Sequence, residues 1–378
     1  MKQIYLDYAA ATPMDPIVIK AMEPYFFGKF HNPSAIYLAG QAARKSLQDA
    51  RVSIAQNLGA RPAEITFTAG ATEANNLAIQ GVMKNFPAGE ALVSSIEHES
   101  ILAPAGLFNT REIPVDKNGR VILDSLEKMI SDKTVLVSVG LVNNEIGTIQ
   151  PLRDIAEILN KSRKLRGPKG LPLYFHTDAA QAPNYFDLHI SRLGVDLLTI
   201  NGGKIYGPKQ SGALYVRAGV KLRPLILGGG QENGLRPGTE NVAGAVGLAV
   251  ALDLAQNMRN AQAERMAELR QLFIEALKVI LPTVVVNGSP KNSAPHIVSV
   301  TFAGVDNERL MMELDERGLQ VATGSACSAS NDKPSHVLVA VGLNNKEAGS
   351  TLRFSFGRQT SESDIKYTLK TLSQLLEN

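Results

Sequence analysis

The chain has no tryptophan and one cysteine, Cys327, among 378 residues. A single thiol excludes an internal disulfide and makes a reducing cytoplasm the expected compartment. It also excludes a zinc site of the paired-cysteine kind, and the six histidines show no ligand spacing that would replace it, so no metal site is expected. An excess of charge is missing as well. Thirty-nine Lys and Arg against 36 Asp and Glu leave +3, too little to argue for direct contact with nucleic acid or an anionic membrane. Long hydrophobic runs are absent: Val242 to Ala255 is interrupted by Asp253 and too short to span a bilayer, so it reads as a buried helix. Met1 to Tyr8 lack the apolar core of a secretion signal.

What is present suits a globular enzyme. The length allows two or three ordinary domains, or one large domain with a smaller one attached. Strand-like runs recur at Glu64–Thr68, Ala91–Ser95, Glu112–Val115, Val135–Val139, Leu173–Thr177, Leu197–Ile200 and Ala213–Val216. Helical spacing appears between several of them, as at Gly40–Leu58 and Leu152–Leu165. Such alternation predicts an α/β layer with a mostly parallel sheet, in which ligands gather beyond the carboxyl ends of the strands. The residues just past those ends are polar: Glu97 and His98, Asn143 to Glu145, Asp178 with Gln181, and Lys204. Their expected convergence on one sheet edge is the main reason to read an enzyme here.

Two stretches carry more specific chemistry. Leu197–Ile200, after Asp196, is a short apolar run that stops before Gly202-Gly203, with Lys204 next and a Gly207-Pro208 turn after it. A lysine held between strands can lose solvation and serve as a Schiff-base amine, although from this stretch alone a surface lysine beside a turn is the commoner reading. Ala69-Gly70-Ala71-Thr72-Glu73 joins a strand to a helix and offers backbone amides to a phosphate, without the Gly-Lys-Ser/Thr of a nucleotide loop. An ordinary turn capped by Thr72 fits it equally well.

Elsewhere, Lys161–Leu173 is basic and Gly/Pro-rich and is expected to be a solvated loop or crossover extension. Leu227–Gly234 is expected to be a flexible loop, and Asn241–Met258 and Ala261–Ile280 to be two long helices. A C-terminal α+β unit follows, with strands at His296–Phe302 and Leu319–Ala322 and a helix between them. Thr323–Asp332 then gives a small, polar stretch around Cys327. Nothing there can build a core, so the thiol reads as reactive and its loop as able to move.

Taken together, these segments resemble the cysteine desulfurases of the class-V aminotransferase family, in the group typified by NifS and IscS. The resemblance covers essentially the whole chain. It rests on Tyr5-Leu6-Asp7 with Ala10-Ala11-Thr12, Gly70–Glu73, Glu97-His98, Val142–Gly147, Asp178–Gln181, Lys204–Lys209, Gly228–Glu232, Gly324–Cys327 and Leu352–Ser355. It implies a pyridoxal-phosphate-dependent transferase-like α/β fold with a mostly parallel seven-stranded sheet in a large domain, residues 15–257. Residues 1–14 and 258–378 would form the smaller α+β domain, carrying the cysteine loop at 323–333.

The resemblance also assigns roles. Lys204 would hold pyridoxal phosphate and take the substrate's Cα proton, with Asp178 at the ring nitrogen, Gln181 at the phenolic oxygen, and His98 stacked on the ring and moving protons at sulfur. Ala71 and Thr72 would bind the phosphate, joined by Asn201, Gly203 and, from the partner of a homodimer, Thr239. Asn32, Asn144 and Arg353 would hold L-cysteine, Arg353 as a bidentate clamp on its carboxylate and Asn144 touching the cofactor as well. Cys327 would receive the sulfur as a persulfide and pass it to an Fe–S scaffold or sulfur-carrier protein, or toward tRNA thiolation, with a transient contact to a cluster during handover. One departure is clear: the family's usual Ser-Gly-His-Lys is here Asn201-Gly202-Gly203-Lys204, so Asn201 keeps a polar side chain and Gly203 offers backbone alone. Selenocysteine lyase activity, or that of another class-V enzyme acting on an amino acid, is the alternative on the same fold, and a non-catalytic partner-binding homologue the alternative of another class.

Overall fold

A computed structural model of the protein describes residues 3–324 and 334–376. The chain opens with β1 (Ile4–Tyr5), α1 (Pro16–Met22) and α2 (Leu38–Leu58). It then alternates through β2 (Ile65–Thr68), α3 (Ala71–Met83), β3 (Glu90–Ser94), α4 (Glu99–Ala105), β4 (Thr110–Ile113), α5 (Leu123–Met129) and β5 (Thr134–Ser138). Next come α6 (Leu152–Arg166), β6 (Tyr174–Asp178), α7 (Ile190–Leu193), β7 (Leu197–Asn201) and β8 (Gly212–Val216). The long α8 (Val242–Ile280) leads to β9 (Val285–Asn287), β10 (Ile297–Thr301), α9 (Asn307–Asp315) and β11 (Leu319–Gln320). The described chain closes with α10 (His336–Ala340), α11 (Asn345–Ala348), β12 (Thr351–Ser355) and α12 (Glu362–Leu376).

The large sheet has seven strands in the order β2-β8-β7-β6-β5-β3-β4. β8 runs antiparallel to both its neighbours and every other pairing is parallel. Every residue of β3 and β5 is buried, the signature of a sheet covered on both faces. Residues following β7, β6, β5 and β3 therefore emerge from one edge, on adjacent strands. Helix α2 packs Leu47, Ala50, Ile54 and Leu58 into that core and stops at Gly59, whose φ of +64° suits a left-handed cap.

A three-stranded antiparallel sheet, β12-β10-β9, stands apart from a parallel pair, β1-β11. Isolated bridges stitch them together, Asp7 to Ser355 and Ala322 to Arg353. Phe273 of α8 packs against them, tilted on Phe354 and edge-on to Phe356.

Three local expectations need correcting. The two helices expected on either side of residues 258–261 are one helix of 39 residues, because Met258-Arg259-Asn260-Ala261 contains no glycine or proline to break it. Its first part packs Leu248 and Leu252 into the large core, and its later part packs Met266, Phe273 and Leu277 into the small one. The basic stretch is helical as far as Arg166, and its arginines are anchored: Arg163 pairs with Asp196 and donates to Leu173 O at 2.8 Å. The glycine-rich stretch is pinned at Glu232. That buried carboxylate takes both terminal nitrogens of Arg51, at 2.7 and 2.6 Å, and the amide of Phe67 at 2.8 Å.

Candidate active site

The strand ends do converge. They surround a cleft of about 340 Å³ lined by Ala71, Thr72, His98, Asn144, Asp178, Gln181, Asn201, Lys204 and Arg353, together with Glu97, Glu145 and His336. Lys204 ends a short turn of 3-10 helix, Gly202–Lys204, directly after β7. The turn is tight: a Cβ at Gly202 would lie 2.8 Å from Pro208 O. Lys204 Nζ donates to Ala9 O at 2.9 Å and Ala10 O at 2.5 Å, so the N-terminal arm crosses beside it. Gln181 Nε2 donates to the same Ala9 O at 2.9 Å.

Asp178 is held at both oxygens. Asn75 Nδ2 donates to Oδ2 at 2.7 Å and the Ala180 amide to Oδ1 at 2.8 Å. Asn75, fully buried on α3, also donates to Ser100 Oγ at 2.8 Å. Ser100 lies 2.8 Å from His98 Nδ1 through its hydroxyl, and its amide donates to that nitrogen at 3.0 Å. A polar line thus runs from Asp178 through Asn75 and Ser100 to His98. Because Nδ1 accepts an amide hydrogen, the neutral ring of His98 carries its proton on Nε2.

At the start of α3, Gly70 (φ +131°) caps the helix without a side-chain bond, so Thr72 does not cap it and the first-turn amides stay available. Gly212 of β8 passes directly behind: a Cβ there would lie 2.7 Å from Gly70 Cα. This uncapped, glycine-backed helix end suits an anion, and Asp178 suits a cationic group. Asn75 Oδ1, buried and without a partner among the described residues, leaves an acceptor beside Asp178. Asn201 Oδ1 accepts from the Gly203 amide at 3.1 Å and shapes the lysine turn. Gly203 O accepts from Thr12, which ties that turn to the arm.

Arg353 reaches the cleft from β12. It donates through Nη1 to Asn144 O at 2.9 Å and through Nη2 to Asp7 Oδ1 at 2.6 Å. Glu97 accepts from the Gly140 amide at 2.8 Å, and burial pushes its carboxyl up to about 8, with Asp178 adding to the rise. Burial also raises Glu145, against the pull of Ser335, Arg353, His336 and His98. His296 Nε2 lies 3.5 Å from Gln181 Oε1, and burial lowers that imidazole to about 3.

Not every expected residue joins this group. Asn32 is exposed and uses its side chain to accept from the Ser34 amide at 2.8 Å, and Thr239 is exposed too. Neither lines the cleft of this chain, and nor does Gly203. Cys327 and most of its loop, residues 325–333, lie outside the described residues. Sequence reasoning missed Asn75, Ser100 and Asp7. Asn75 gives no sequence signal, being one polar residue on a helix, whereas Asp7 stands in a motif but its partner is 346 residues away. Among the described residues no group of three His, Cys, Asp or Glu could hold a metal, and no helix is long and apolar enough to cross a membrane.

Comparison with known proteins agrees in family and fold. The aminotransferase class-V family model matches residues 4–368. Cysteine desulfurase IscS of Dictyoglomus turgidum is 41% identical over 383 residues, covering 100% of this chain and 95% of that protein. Cysteine desulfurase IscS 1 of Archaeoglobus fulgidus is 41% identical over 380 residues, covering 99% and 97%. A solved structure described as a NifS-like protein superposes with a TM-score of 0.92 at 32% identity, with both chains covered completely.

Proposed function

From a chain that belongs to the class-V aminotransferase family, we infer a cysteine desulfurase, an enzyme that converts L-cysteine to L-alanine and keeps the sulfur. The observation that carries this reading is the cleft itself, which gathers Lys204, Asp178, Gln181, His98 and Arg353 at one sheet edge.

The residues present fit pyridoxal phosphate. Lys204 would hold it covalently, the first-turn amides at Ala71 and Thr72 would take its phosphate, and Asp178 would keep its ring nitrogen protonated. When bound, the cofactor supplies an electron-withdrawing ring that weakens the bonds around the Cα of an attached amino acid. Asp178 is held in place because Asn75 and the Ala180 amide each bond one of its oxygens. Gln181 would bond the phenolic oxygen. Asn201 and Gly203 would act through the lysine turn, since the side chain the family usually provides at 203 is absent here.

Arg353 would take the substrate carboxylate, with Asn144 beside it. Lys204 would accept the Cα proton and His98 would move a proton at sulfur, its ring fixed through Ser100. Protonated Glu97 would add no negative charge near the substrate. The thiolate of Cys327 would attack the cysteine sulfur, forming an S–S bond as the C–S bond breaks. The electron pair stays with carbon, which is protonated to give alanine, and the enzyme holds a persulfide. No external oxidant or reductant is needed.

A homodimer would bring Thr239 and Asn32 to the neighbouring site. The exposed apolar run of Phe26, Phe27, Phe30, Ile36, Tyr37 and Leu38 around Asn32 supports this. We assign the smaller unit to residues 1–14 and 258–378, the larger to 15–257, and the sulfur acceptor to an Fe–S scaffold or carrier protein in the cytoplasm. The test is alanine formation from L-cysteine by protein supplied with pyridoxal phosphate. Yellow protein that releases alanine, and a Lys204→Ala variant that does neither, are expected; colourless protein that forms no alanine would overturn the reading.

A further inference from the structure

The backbone of Arg353 has no freedom. Its amide donates to Ala322 O at 2.7 Å, its carbonyl accepts from the Ala322 amide at 3.2 Å, and β12 pairs with β10 on the other side. Only the direction of the side chain remains to be set. Nη1 is committed to Asn144 O and Nη2 to the carboxylate of Asp7, while Nε is buried with no partner among the described residues. Arg353's side chain is 3% exposed and Asp7's 18%, so this ion pair is largely shielded from water. Asp7 is itself fixed: it bridges Ser355 through its backbone, and the Tyr5 hydroxyl donates to its carbonyl at 2.9 Å.

We propose that Asp7 is a positioning residue for the substrate's α-carboxylate, aiming the Arg353 guanidinium so that its uncommitted donors face the cleft. The proposal rests on reading Arg353 as the carboxylate clamp. A guanidinium presents five N–H groups in a rigid fork, and two anchors on different nitrogens fix its plane before substrate arrives. Asp7 also pairs the buried cation while the site is empty. An opposing effect exists, because Asp7 and the substrate carboxylate share one cation and repel each other. Positioning outweighs it: without Asp7 a long side chain is held by one carbonyl alone, and its ordering falls on the binding step. The arm that carries Asp7 also places Ala9 O and Ala10 O against Lys204, so clamp and lysine share one support.

The test uses the holoenzyme. Asp7→Ala is expected to raise the KM for L-cysteine and the calorimetric Kd for L-alanine about tenfold or more, the scale of one lost hydrogen bond between charged groups. kcat should change little, Asp7→Glu should recover part of the affinity, and binding of cysteamine, which has no carboxylate, should not change. A lowered KM would show that Asp7 competes with substrate, and an equal loss for cysteamine would show a merely structural role; either overturns the proposal. Arg353→Ala separates the two claims. An unchanged KM in Arg353→Ala overturns the clamp reading and this proposal with it, whereas a raised KM there beside an unchanged one in Asp7→Ala overturns this proposal alone.

Discussion

Replacing Glu97 with glutamine isolates the electrostatics of the cleft. The Glu97 carboxyl is buried, takes the Gly140 amide at 2.8 Å and faces Asp178, and burial lifts it from 4.5 to about 8. The folded protein therefore holds this proton more tightly than the unfolded chain does. Stability from this group is complete below the unfolded value and is lost as pH rises through the folded one. At about 1.4 kcal/mol per pH unit, the displacement amounts to on the order of 5 kcal/mol, an upper bound because water entering the cleft shields the charge. Glutamine keeps the acceptor for Gly140 and the shape of the side chain, and removes the titration. Urea unfolding of cofactor-free protein at about pH 5 and about pH 9 reads the difference. The variant should match the parent at the lower pH and exceed it by several kcal/mol at the higher one. Glu145, His296 and His176, a buried imidazole of β6 lowered to about 3 by burial, titrate in both proteins and cancel. Parallel stability curves across that range would refute the assignment of a buried, protonated Glu97.

Other substitutions probe the supports of the site. Asn75→Leu removes the donors to Asp178 Oδ2 and Ser100 Oγ; a loss of about 2 kcal/mol in urea unfolding and weaker pyridoxal phosphate binding by absorbance titration are expected. Unchanged cofactor affinity would mean that Asn75 does not condition Asp178. Gly212→Ala sets a methyl 2.7 Å from Gly70 Cα and 2.9 Å from Ile200 O, all backbone, so the end of α3 proposed to take the phosphate must move and cofactor affinity should fall about tenfold or more. Wild-type affinity would show that this close approach does not shape the phosphate site. Arg51→Ala strands the buried Glu232 carboxylate with the Phe67 amide and is expected to cost about 3–5 kcal/mol of unfolding free energy. A change under about 1 kcal/mol would place that pair among ordinary surface bridges.

Much of the fold was legible because its signals are local. Apolar runs such as Val135-Leu136-Val137 and Leu197-Leu198 can be buried only in a covered sheet. In a parallel sheet the polar residues after them must share an edge, and that alone groups His98, Asp178, Gln181 and Lys204. What stayed hidden depends on distance or on a missing signal. Asp7 meets Arg353 across 346 residues and Asn75 meets Asp178 across 103, and neither spacing leaves a pattern in the chain. The glycines of 228–234 suggested freedom, yet one carboxylate, Glu232, binds the segment to Arg51. Thr72 looked like a cap, but Gly70 fills that position with φ +131°, open to glycine and strained for threonine. Asn32 and Thr239 matched a family pattern that a single chain does not bring to one cleft.

The most direct measurement is mass spectrometry of the peptide carrying Cys327 after the holoenzyme meets L-cysteine without reductant. One added sulfur atom on that thiol, formed together with alanine and absent in Lys204→Ala, is the predicted result. Alanine accumulating at the full rate while the thiol stays unmodified, or while Cys327→Ser does as well, would contradict the account.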